Sequence, residues 1–196
     1  MEADRLMMQI DFIREIDKLK HVYRQTLLMN GSRHENDAEH SWHLAVMAML
    51  LKEHADKEID VLKVMKMVLI HDLVEIDAGD TFCYDDEAKV DKEERERKAA
   101  DRIFHILPED QAWELRNLWE EFEGRSTPEA CFAAALDRIQ PLLHNYYTKG
   151  QSWKEHGVTS DKVLDRNRPI KECSQTLWNL AQEIIRQSVE KGYLLP

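Results

Sequence analysis

Apolar residues recur along this chain mostly at spacings of three and four, which predicts helix almost throughout and few strands. Leu6, Ile10, Ile13, Ile16 and Leu19 make one such stripe, expected to lie on the core. After a polar loop, NGSRHEND, either Asn36 or Asp37 can cap a helix running through AEHSWHLAVMAMLLKEH, with Glu39 placed for a reciprocal capping bond and His40 in the first turn. The near-continuous apolar run VLKVMKMVLI then leads straight into His71 and Asp72 and, past Leu73 and Val74, reaches Glu75. One helix is expected over roughly 61–77, stopping at Gly79, with Asp80 on the loop just beyond.

The stretch TFCYDDEAKVDKEERERK is acidic and then mixed in charge, which reads as a mobile loop followed by a solvated helix, and another helix is expected to begin near Pro108. Thr127-Pro128-Glu129 combines a capping hydroxyl, a proline suited to the first helical position and a carboxylate at the positive dipole end. The helix beginning there carries Asp137. Pro141 cannot donate to the Asp137 carbonyl and crowds it, so a kink is expected there; a long helix simply bent around the core is the equal alternative. A last helical stretch, TLWNLAQEIIRQSV, ends at Gly192. The expected fold is an all-α globule of about six to eight helices, one domain over residues 1–196.

A formal charge of -11 argues against broad adhesion to nucleic acid, which depends on a basic surface. The chain shows no apolar run long enough to span a bilayer and no secretion-signal pattern, so a cytoplasmic setting is expected, without membrane partners. Cys83, Cys131 and Cys173 form no CxxC pair, and ordinary reduced thiols are expected.

The chemistry concentrates in the central helix. A helix apolar nearly all round sits in a core, and burying His71, Asp72 and Glu75 there costs several kcal/mol unless something compensates; a metal cation is the simplest such partner. His71 and Glu75 lie four apart and Asp72 and Glu75 three apart, so all three can border one concavity. On spacing alone, His71 with Glu75 could equally be an ordinary helix-surface pair. Periodicity does not bring His40 or Asp137 to them.

The segments AEHSW, LIHDLVEIDAGD and ALDRIQPLL, in that order and separation, resemble the HD-domain metal-dependent phosphohydrolases, above all the branch containing the 5'-deoxynucleotidases. The resemblance runs from about Phe12 to the helix holding Asp137. It implies that His40, His71, Asp72 and Asp137 ligate one divalent ion, that Glu75 is the catalytic acid or base, and that Asp80 assists it. Such a nitrogen and oxygen donor set suits Mn, Co, Fe, Ni or Zn, with Mg also in the range. Arg24, in KHVYRQTLL, matches the arginine that approaches the substrate phosphate; where that branch carries an aromatic residue next to it, this chain has Gln25.

The resemblance further implies a homodimer and a small phosphorylated substrate, most simply a nucleoside 5'-monophosphate. Phosphodiesters, nucleoside triphosphates, alarmones or a noncatalytic nucleotide-binding role are the alternatives. His43 reads as a group supporting the metal site or as a packed histidine, His144 and His156 as solvated. Trp42, Trp113, Trp119, Trp153 and Trp178 are scattered, which favours core packing over a base-stacking platform.

Overall fold

In the computed structural model, residues 2–85 and 90–196 are described, and helix dominates them. The α-helical segments are α1 (Glu2–Ile16), α2 (Asp37–Leu51), α3 (Val61–Ile70), α4 (Glu75–Ala78), α5 (Lys92–Phe104), α6 (Glu109–Gly124), α7 (Pro128–Tyr147), α8 (Gln151–Glu155), α9 (Ser160–Asn167) and α10 (Gln175–Glu190). All but the short α4 and α8 run eight residues or more, so the expected all-α architecture holds.

The core is built around α7, which packs against α2, α3, α6 and α10. Its ACFAAAL stretch supplies small side chains, and Ala130, Ala133, Ala134 and Ala135 are all buried, which lets neighbouring helices approach closely. Val64, Met67 and Val68 of α3 and Leu44 and Ala48 of α2 fill the facing positions with no solvent exposure. Each methylene buried in this way contributes roughly 0.8 kcal/mol. The helix starts are the ones the sequence marks: Asn36 and Glu39 form a reciprocal capping box on α2, and the Thr127 hydroxyl accepts from the Ala130 amide at the head of α7. α7 continues through Pro141 as one twenty-residue helix.

Four expectations are corrected. The polar NGSRHEND segment is part of a hairpin, in which β1 (Tyr23–Leu27) pairs antiparallel with β2 (His34–Asn36). With three polar residues in β2, no apolar alternation announces the strand. The apolar stripe meets the core only at its C-terminal end: Leu19 is buried and Ile16 packs against the core as expected, whereas Leu6, Ile10 and Ile13 are 57%, 46% and 58% exposed and Phe12, outside the stripe, is buried. Arg5 pairs bidentately with Asp110 and Gln9 bonds Gln111, so α1 is tethered along α6 by its polar residues, with Phe12 as the apolar anchor.

The central helix is not continuous. After Ile70 the chain tightens into a 3-10 turn over His71–Val74 before α4 resumes at Glu75. The His71 Nδ1–H reaches back to the Val68 carbonyl at 2.9 Å, a side-chain donor for the end of α3. Gly79 closes α4 with φ +74°, a value that an L side chain adopts only under strain. Finally, Cys131 and Cys173 are bonded to each other, joining α7 to the residue just before the Ser174 cap of α10; a pairing across 42 residues leaves no local spacing signal. Cys83 remains free. The expected mobile loop lies in part on 86–89, outside the described residues; the helix after it is α5.

Candidate metal centre

Three elements converge on one buried point. The capping box fixes the head of α2 and with it His40; the 3-10 turn presents His71 and Asp72; the middle of α7 presents Asp137. Asp137 Oδ1 lies 3.1 Å from His40 Nε2 and 3.7 Å from His71 Nε2. Asp72 Oδ1 lies 3.0 Å from His71 Nε2, and its Oδ2 3.9 Å from His40 Nε2.

These separations match the edges of a coordination shell, since ligands about 2.1 Å from a common ion and roughly at right angles stand about 3 Å apart. His71 donates from Nδ1 to the Val68 carbonyl, so its neutral form keeps the Nε2 lone pair directed at the carboxylates. Without a cation, His71 Nε2 has no hydrogen-bond partner although it is buried. Burial lowers the proton affinity of this imidazole, but Asp72 and Asp137 outweigh it and hold His71 at about 9. Burial opposes the charge on Asp137 as well, yet His40 and His71 keep that carboxyl well below the usual range. His40, with no exposure, is pushed down by burial and by Arg24. Two imidazoles and two carboxylates, with Arg24 on Asp72 as the one lysine or arginine partner of the set among the described residues, make a nitrogen and oxygen donor set that fits a divalent cation.

A second group of acids borders this set. Carboxylate oxygens of Asp37, Glu75 and Asp80 lie within 4.8 Å of one another. Asp72, in the 3-10 turn, and Glu75, three residues on at its end, are close enough for the charge of one to act on the other. Burial first, then Asp72 and Asp37, holds the Glu75 carboxyl well above its usual range. Burial and Asp72 likewise push Asp37 up to about 7, partly countered by Arg24 and by a hydrogen bond with Glu75. Asp80 is raised by burial too, while Arg24 and a bond from the Gln25 amide pull it back.

Arg24, on β1, is the cation that ties the two groups together. Its Nη1 donates to Asp72 Oδ2 at 2.8 Å and to Asp37 Oδ1 at 3.1 Å. All seven residues expected at the site, His40, His71, Asp72, Asp137, Glu75, Asp80 and Arg24, are thus assembled in one place.

The cavity over them holds further residues that the sequence pattern did not single out. Phe82, Tyr84 and Trp153 supply aromatic lining, and the Phe122 ring lies 4.8 Å from the His71 ring. Arg125, Arg138 and Arg166 also line it, and among the described residues none of the three forms an ion pair with a carboxylate. The buried Arg138 is lowered to about 10 by burial and by its two arginine neighbours. Its guanidinium donates to the carbonyls of Ala134 and Arg166. Asp37 was legible only as a helix-start residue, and no spacing relates the arginines to Asp137 before the fold is known.

Of the three further histidines, His144 departs from expectation. His144 is buried rather than solvated, His43 is half-buried beside it, and His156 is exposed with its ring 4.4 Å from Phe82. Trp119, Trp153 and Trp178 are buried as expected, whereas Trp42 and Trp113 stand largely in solvent.

The HD domain model matches residues 16–178, spanning every one of the seven site residues. The chain belongs to the HD domain family. This HD-domain chain is 36% identical to human 5'-deoxynucleotidase HDDC2 over 68% of its own length and 65% of that protein. It spans 64–65% of the length of the human, bovine and mouse relatives it matches. It is 26% identical to the fission yeast (Schizosaccharomyces pombe) 5'-deoxynucleotidase hdd1 over 99% of this chain and 90% of that one. Among solved structures, a predicted metal-dependent phosphohydrolase from Magnetospirillum magnetotacticum MS-1 superposes with a TM-score of 0.96 at 54% identity, covering 100% of this chain and 98% of that one.

Proposed function

We propose that the chain is a metal-dependent phosphomonoesterase acting on small nucleotides, foremost nucleoside 5'-monophosphates. His40, His71, Asp72 and Asp137 hold one divalent ion, Mn, Co, Fe, Ni, Zn or Mg. The observation that carries this reading is the meeting of two imidazole nitrogens and two carboxylates from α2, the 3-10 turn and α7 at ligand spacing. The names of the similar proteins, 5'-deoxynucleotidase among curated relatives and metal-dependent phosphohydrolase for the structural neighbour, point the same way.

A bound divalent ion lowers the pKa of a coordinated water and polarises a phosphoryl oxygen. The protein's own part is to position, to neutralise charge and to hand over a proton. Hydrolysis joins the water oxygen to phosphorus, breaks the bond from phosphorus to the ribose 5'-oxygen and requires a proton on that leaving oxygen. Glu75, whose proton affinity is raised by burial and by Asp72 and Asp37, supplies that proton. Asp37 shares a hydrogen bond with Glu75, and the negative charges of Asp37 and Asp80 raise the affinity of Glu75 for its proton. Arg24 offers its guanidinium to the phosphate once Asp72 turns to the ion. Phe122 closes the wall beside His71 against water.

The arginines favour a second reading. Arg125, Arg138 and Arg166 line the cavity without forming a close ion pair among the described residues, which suits a more highly charged substrate such as a nucleoside triphosphate or an alarmone. The experiment is a phosphate-release screen on protein reconstituted with Mn or Co. Free phosphate from nucleoside 5'-monophosphates supports the monoesterase; pyrophosphate or tripolyphosphate as product supports the second reading, and no turnover on either panel overturns both.

We place the protein in the cytoplasm with its nucleotide substrates, without membrane or nucleic-acid partners. No described helix is long and apolar enough to cross a membrane. We also propose a homodimer, using the apolar face that α1 leaves in solvent. Light scattering tests this against the 23.1 kDa monomer.

A further inference from the structure

Behind His40, on the side away from Asp137, lies a buried polar chain that the reaction above does not use. Glu35, on β2, is 1% exposed and forms no ion pair with a lysine or arginine among the described residues. A carboxylate so placed is costly unless a proton donor or cation answers each oxygen. Its Oε1 is answered by Gln140 Nε2 at 2.7 Å. Its Oε2 has no partner, and 3.7 Å from it stands His40 Nδ1, itself buried and without a partner. Two unsatisfied groups therefore face each other, with the outer nitrogen of a proposed metal ligand as one of them.

The rest of the chain explains why Glu35 is held in place. His144 donates from Nδ1 to the Leu27 carbonyl at 2.8 Å, which leaves its Nε2 as an acceptor for Gln140 Nε2 at 3.0 Å. The two amide hydrogens of Gln140 thus go to Glu35 and His144, and His43 Nδ1, at 3.3 Å, is the weaker third acceptor. Glu35, His43 and His144 could in principle hold a cation of their own. The Gln140 amide nitrogen already sits within hydrogen-bond reach of a donor atom of each, so this cluster is a hydrogen-bond network. Gln140 lies one turn beyond Asp137 on α7, so one helix carries both a proposed ligand and the clamp on Glu35.

We propose that Glu35 is the positioning residue of the metal centre: its Oε2 takes the Nδ1–H of His40, fixing the tautomer whose Nε2 lone pair faces the ion, while Gln140 and His144 lock the carboxylate. A shortening of under about 1 Å brings the pair to ordinary hydrogen-bond length. Such a carboxylate raises the basicity of the imidazole and limits its rotation, and losing it costs a metal site 10–100-fold in affinity by the usual range. The inference rests on the metal reading of His40, His71, Asp72 and Asp137.

The test is chelator competition for Co(II), with the visible cobalt spectrum recorded for the wild type, Glu35→Gln, Gln140→Leu and Asp72→Ala. Glu35→Gln keeps the shape and removes the charge; we expect affinity at least tenfold weaker and a shifted cobalt band, with metal-free thermal stability no lower than wild type. Gln140→Leu, which leaves the carboxylate but frees it to turn, should show a smaller loss in the same direction. If Glu35→Gln fails to fold, Gln140→Leu alone decides. Affinity within twofold of wild type and an unchanged spectrum, while Asp72→Ala loses the ion, overturns the role of Glu35 and leaves the metal site standing. Retention of cobalt by Asp72→Ala overturns the metal reading and this inference with it.

Discussion

Asp137 Oδ1 sits 3.1 Å from His40 Nε2 although 97 positions of sequence separate the two residues. Only the packing of α2 against α7 brings them together, and small buried side chains such as Ala48 and Ala133 belong to those helices. The contact between a carboxylate and an imidazole is the arrangement a shared cation stabilises further. Asp137→Asn should therefore lose bound metal, as measured by elemental analysis, and phosphate release should fall by at least 100-fold, with the helical circular dichroism kept.

As the proposed acid, Glu75 should allow proton transfer to be separated from metal binding. Its carboxyl is held well above the usual range by burial and by Asp72 and Asp37, and it is not among the four donors that meet at ligand spacing. Glu75→Gln should keep its metal content while kcat drops by about 10²–10⁴-fold, the usual worth of a positioned acid or base. Loss of the metal along with activity would place Glu75 among the ligands instead.

Asp37 should give the metal-free protein a distinctive pH dependence. Its carboxyl titrates ordinarily at 3.8 and, in the fold, at about 7, because burial and then Asp72 disfavour its charge. Between those values the folded chain holds a proton that the unfolded chain has released, so stability falls as pH rises from about 4 to 7 and then levels off. Asp37→Asn removes its share of that slope, leaving the shares of Glu75 and Asp80, which are raised as well. Urea denaturation should show the variant more stable than the metal-free wild type at pH 8, on the order of a few kcal/mol, with the gap narrowing towards pH 4.

The Cys131–Cys173 bond should matter for stability more than for turnover. It closes a 42-residue separation, for which the usual gain is about 2–4 kcal/mol, largely by restricting the unfolded chain. Cys173→Ser, or dithiothreitol treatment of the wild type, should lower the urea midpoint accordingly. The kcat should stay within about twofold, because Cys131 lies more than a turn before Asp137 on α7. If reduction instead abolishes activity, the bond helps to hold Asp137.

The sequence made the helices and the site readable for different reasons. Caps at Asn36 and Thr127 are local chemistry, so the starts of α2 and α7 follow from composition alone. The quartet His40, His71, Asp72 and Asp137 was visible only through its resemblance to a known pattern, since no periodicity relates residue 40 to residue 137. The features that stayed hidden depend on tertiary context. The stripe Leu6, Ile10 and Ile13 identifies a helix but does not say which neighbour covers it. A three-residue polar strand such as His34–Asn36 has no alternation to betray it. Asp37 and Glu35 look like ordinary acids until burial removes water from around them.

The 3-10 turn at His71–Val74 limits how the chain can vary here. Each added or deleted residue rotates the downstream backbone by about 100–120° about the local axis, which would swing Glu75 away from Asp72 while leaving composition almost untouched. Among variants of this protein, the stretch from Ile70 to Gly79 should accept exchanges of its apolar members yet reject any change in length.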